Sequence, residues 1–179
     1  MDSNANLGGT ISLAAWRRFR SLSIGLEDVP DYLALNRHDD VSAVLRTHLF
    51  VEHWLRNLEP RLVADDSCIR LGLNRLIVGA VEIGAIEPET ERSLLALETL
   101  RTCFVHDLTY QLCGASIGIF IKLLRGASLR VLEKSSAFST LPEKAQLRAA
   151  LCAIAISVES QVRSYFQRET TLTAVDYPR

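Results

Sequence analysis

Apolar residues that recur at helical spacing between clear stop signals constrain this fold most. Between Asp39-Asp40 and Pro60, the residues Val41, Val44, Leu45, Val51, Leu55 and Leu58 share one face at ~100° per residue. Two acids suit the positive end of such a helix, and the proline stops it. No comparable stretch alternates apolar and polar residues, and there is no glycine-rich phosphate loop or internal repeat. The expected class is all-α, a single helical bundle of about five to seven helices.

The same punctuation divides the rest of the chain. Residues 1–10 are polar and glycine-containing, which predicts a flexible N-terminus. A helix is expected from near Ser12, with Ala15, Trp16, Phe19 and Leu22 on one side and Gly25 ending it. Asp28 before Val29-Pro30 caps a short helix to about Asn36. Asp65-Asp66-Ser67 reads as a loop. Cys68 to Ile83 reads as a helix closed by Gly84. Glu87-Pro88-Glu89 starts the next, which carries Leu94, Leu97, Phe104, Val105 and Leu108. A helix from Gly114 to about Val131 is apolar around most of its circumference, so it is expected to be central or at an interface. Thr140-Leu141-Pro142-Glu143 has the capping-box form, and a long final helix should run to about Arg168. The expected domain is 11–168, with 169–179 as a tail.

Composition narrows function by exclusion. A net charge of −1 gives no global pull toward nucleic acid or anionic membrane. The longest apolar run, Ile117 to Leu124, is far shorter than the roughly 20 residues that span a bilayer. Cys68, Cys103, Cys113 and Cys152 have neither zinc-ligand spacing nor a disulfide framework. They fit reduced core residues in a cytoplasmic setting, with no membrane, cofactor or metal expected.

Charged residues inside apolar stripes are the candidate functional groups. His48 and Glu52 fall near the middle of the 41–58 stripe, one turn apart, with Arg46, His53 and Asn57 opposite. Arg101 falls in the middle of the next stripe. A buried charge needs a partner, so a Glu52–Arg101 ion pair between helices is expected. His106 lies ~140° from Arg101 on an unbroken helix. The two meet within one chain only if the helix bends or ends there, and otherwise across a dimer interface.

Arg101-Thr102-Cys103-Phe104-Val105-His106 has the form R-x4-H and resembles the motif of the HEPN superfamily of helical domains. The stretch from about His48 to Leu112 is also similar to bacterial proteins related to the mannitol operon repressor. Those carry a helix of the form hLxxExxL, a glycine turn, and then LxxLRNxFAHxL. The matching residues here are His48-Leu49-Phe50-Val51-Glu52-His53-Trp54-Leu55, then Ile83-Gly84-Ala85-Ile86, then Leu97 to Leu108. The resemblance implies an all-α bundle, often a homodimer. In active members the arginine and histidine cleave RNA without metal, using the 2′-hydroxyl as nucleophile. Such chemistry suits a histidine that moves protons near neutral pH and an arginine that holds phosphate. Thr102 stands where active members commonly carry a polar residue, often asparagine.

Three functions follow as expectations. The favoured one is a non-catalytic helical interaction or regulatory module, dimeric, with Glu52 and His48 in supporting roles. The alternative is a metal-independent ribonuclease or RNA-binding protein in a toxin or defence role, with Arg101, His106 and the motif position Thr102 as its site. Its partner would be RNA or a cognate protein. The third is a repressor-like protein. Phe50, Trp54 and the 114–131 helix are the expected dimer surface.

Overall fold

Asp39 opens the first described helix because its carboxylate accepts the Ser42 backbone N–H at 2.8 Å, satisfying a donor that has no partner in the first turn. The computed structural model describes residues 39–62, 71–107, 110–134 and 138–175. Within them lie seven α-helices and no strand. They are α1 Asp40–Arg56, α2 Glu59–Leu62, α3 Leu73–Glu82, α4 Pro88–His106, α5 Gly114–Leu123, α6 Gly126–Glu133 and α7 Glu143–Val175. A 3-10 turn at Phe138–Thr140 precedes α7. The helices expected at 12–22 and 28–36, the 65–67 loop and the start of the 68–83 helix lie outside the described residues.

The longest of the described helices, α7, is the axis of the bundle. Ala150, Leu151, Ala153, Ile154 and Ala155 are all fully buried, so neighbours cover this part of α7 on nearly every side. Small alanines let those neighbours come close. α1, α5 and α6 all pack on it. Each fully buried leucine or isoleucine in this core contributes on the order of 1.5–3 kcal/mol.

Long-range pairs give the helix directions. Arg148 of α7 donates to Asp40 at the start of α1 (3.1 Å), and Arg61, beyond its end, donates to Glu169 (2.9 Å). Both pairs span 108 residues, so α1 and α7 run the same way. The Glu87 N–H donates to Gln161, level with the C-terminal half of α1, where Arg163 lies over Trp54. Farther along α4, Glu98 meets His48, nearer the start of α1. α4 therefore runs opposite to α1 and α7.

Four expectations are corrected. The 114–131 helix is two helices. Arg125 donates its N–H to the Ser93 hydroxyl (2.8 Å) and takes the hydroxyl proton on its own carbonyl (3.1 Å), so Ser93 replaces helical bonds at the break. Gly126 then turns the chain with φ +60°. This pair of helices flanks the core, and α7 occupies the centre. Thr140 ends a 3-10 turn, and α7 begins at Glu143. The last helix continues past Arg168 to Val175. Finally, Phe50 and Trp54 are 2% and 7% exposed, because α7 covers the flank of α1 that carries them.

Candidate functional site

The polar residues of α1 and α4 form two separate clusters, and neither is a Glu52–Arg101 pair. Glu52 accepts from Arg56 one turn along its own helix, at 2.5 and 3.0 Å. Arg56 also lies 3.4 Å from Glu59 and donates to the Leu71 carbonyl at 3.3 Å. Glu59 accepts the Leu71 N–H at 2.9 Å. This cluster ties the end of α1 to α2 and the entry of α3. The expected ion pair fails because a local i,i+4 partner is already in reach.

The second cluster spans the two helices. His48 Nε2 donates to Glu98 Oε2 at 2.5 Å, and Arg101 Nη1 lies 3.9 Å from the other oxygen of Glu98. Side-chain exposure grades outward, from 8% for His48 to 23% for Glu98 and 34% for Arg101. His48 is thus a buried polar group whose hydrogen bond is made by a carboxylate from the neighbouring helix. Arg101 closes the cluster from the solvent side.

Arg101 and His106 are not brought together. α4 is a continuous helix through His106. Five residues at 100° leave the two side chains ~140° apart. His106 is exposed at the last residue of the helix, where the negative end of the dipole favours a cation. Thr102 is half-buried on the same helix. Within one chain, the R-x4-H residues share no cleft.

Glu98 is the residue that sequence reasoning passed over. It stands three positions before Arg101, which is neighbour spacing on a helix. That spacing is visible in the sequence. The pairing of α1 with α4 that brings in His48 is tertiary.

The flanks beside this cluster are apolar. On α1, Val41 and Leu49 are 38% and 62% exposed, with Leu45 half-buried between them. On α4, Leu95 and Val105 are 38% and 45% exposed. By helical geometry Val41 lies ~20° from His48, and Val105 ~20° and Leu95 ~60° from Glu98. The His48–Glu98 contact sets these flanks side by side.

Among the described residues, no group of three His, Cys, Asp or Glu is placed to hold a metal ion. No described helix is long and apolar enough to cross a membrane. Comparison of the chain with protein-family models, with curated proteins and with solved structures finds no match.

Proposed function

We propose that this chain is a non-catalytic helical interaction module of HEPN-like type, which works as a homodimer through the joint flank of α1 and α4. The observation that carries this reading is the His48–Glu98–Arg101 cluster. Glu98 supplies a counter-charge to Arg101 and a hydrogen bond to His48, so both serve the packing of α1 on α4. His106, the other half of the catalytic pair in active HEPN proteins, lies on a different side of the helix.

The apolar flank supports the interaction role. Val41, Leu49, Leu95 and Val105 stand around a cluster in which Glu98 is the counter-charge of Arg101, so burying them against a second copy covers a matched pair. Apolar surface of this kind on a folded domain marks a contact site.

Light scattering on the purified chain tests the proposal, with Leu49→Glu/Val105→Glu as the variant. The expected result is twice the chain mass for the wild type and the single-chain mass for the variant, with unchanged helical circular dichroism. A wild-type mass equal to one chain overturns the dimer. Incubation with structured RNA tests the rest. Cleavage by the wild type that is lost in both Arg101→Ala and His106→Ala would replace the proposal with the ribonuclease reading.

A further inference from the structure

The cleft between α2 and α3 stands apart from the α1–α4 flank. Its floor is apolar, made by Leu62 on α2, Leu71 at the entry to α3, and Val78 and Gly79 on α3. Gly79 lets Leu62 pack directly on α3 to form that floor, since a Cβ at that position would lie 2.9 Å from both Leu62 δ-carbons and force that side chain to shift. The cleft has a volume of about 460 Å³, within the range of small-molecule sites.

Two guanidinium groups line it. Arg61 is held in place from behind. Its Nε donates to Glu169 at 2.9 Å, and its guanidinium lies 5.0 Å from the centre of the Phe166 ring. Glu169 is itself fixed by the Tyr165 hydroxyl at 2.8 Å. The terminal nitrogens of Arg61 bond to none of the described residues. Arg75, exposed on α3, likewise bonds through its side chain to none of them. Glu82 is the acidic group on the lining and Glu169 pairs with Arg61 from behind, so the charges around the cleft balance and the free guanidinium N–H groups of Arg61 and Arg75 are what it offers an anion.

We propose that this cleft binds a small amphipathic anion, with a carboxylate or sulfonate head on an apolar body. An immobilised guanidinium loses little freedom when its remaining N–H groups bind such a head. The apolar body would cover the floor between Leu62 and Val78, which is otherwise open to water. Arg75 and Val78 sit one turn apart on α3, so one ligand meets charge and apolar surface together.

The test is a fluorescence titration of the full chain with 8-anilinonaphthalene-1-sulfonate, an aromatic sulfonate. Saturable enhancement is expected, displaced by decanoate but not by the same concentration of inorganic phosphate. Arg75→Glu and Val78→Asp should each weaken binding about ten-fold or more, which corresponds to about 1.4 kcal/mol. Both positions are exposed, and circular dichroism checks that the variants fold. Arg92→Glu, with the same charge change on the exposed side of α4, should leave binding unchanged. Ile119→Ser, at an exposed apolar position on α5, should do the same. Four results overturn the proposal. They are no saturable binding, equal displacement by phosphate, unchanged affinity in both cleft variants, or loss of the signal in Ile119→Ser.

Discussion

Glu98 holds His48 at 2.5 Å across the contact between α1 and α4, and it holds Arg101 at 3.9 Å from its other oxygen. The two distances and burials predict different energies. Removing Glu98 leaves His48, whose side chain is 8% exposed, without its acceptor. A stranded buried polar group costs about 1–3 kcal/mol. Arg101 is about one-third exposed and its contact is long, so the pair is worth less than about 1 kcal/mol.

Glu98→Ala should therefore lower unfolding free energy by about 1–3 kcal/mol, and Arg101→Ala by less than about 1 kcal/mol. Urea denaturation of both variants checks this. Equal losses would show that Arg101 carries the cluster.

How much of this was legible in the sequence depends on how far apart the partners lie. Caps and stops are local, so α1 and α4 begin close to where Asp39 and Pro88 place them. Arg101 and Glu98 are equally local, yet the apolar pattern points Arg101 to the remote Glu52, because both stripes read as fully buried. In fact the buried face of α1 is centred nearer Thr47, Val51 and Trp54, since α7 covers that side. Glu52 is left at its edge, in reach of Arg56. The break at Arg125 was hidden for the opposite reason. Lys122 to Leu132 has good helical periodicity, and the interruption comes from Ser93, 32 residues earlier. Pattern along the chain finds helices, and long-range polar contacts decide where they bend.

Gly126 gives a second prediction. Its φ of +60° already disfavours any side chain, by about 1–2 kcal/mol. A Cβ there would also lie 2.6 Å from the Thr90 hydroxyl and 2.8 Å from the Thr90 backbone nitrogen. Backbone cannot move aside as a flexible side chain can. Gly126→Ala should destabilise by more than about 2 kcal/mol, whereas Gly118→Ala, inside α5 with nothing within 4 Å of its Cβ, should be neutral or slightly stabilising. Thermal melts of the two variants separate the cases, and similar melting points would contradict the geometry.

The described cysteines should differ sharply in reactivity. Hydrogen bonds from Ser116 hold the exposed Cys113 thiol below its ordinary pKa. Burial pushes the Cys152 thiol up to about 12. The thiolate is the nucleophile, so at neutral pH iodoacetamide should label Cys113 first. Cys152 should react only after unfolding. Peptide mass spectrometry over a time course reads the order, and early labelling of Cys152 in native conditions would show that this part of α7 opens.

Glu159 sets a pH dependence whose sign follows from its surroundings. It is 6% exposed on α7, and its carboxylate accepts from Arg163 at 2.8 Å. Burial raises its pKa above the usual 4.5, and the Arg163 contact only partly offsets this. Below 4.5 the folded and unfolded chains both hold the proton, so ionisation of this group costs nothing. Above it, the unfolded chain ionises first, and the folded state loses stability until its own raised pKa is passed. Glu159→Gln keeps an oxygen that can accept from Arg163 and cannot ionise. The variant should gain stability relative to the wild type as pH rises from about 4 through the raised pKa, and the difference should then level off. Denaturation midpoints of both proteins between pH 4 and 8 measure that difference. A gap that stays constant across the range, or one that moves in the wild type's favour, would mean that desolvation does not dominate at this buried carboxylate.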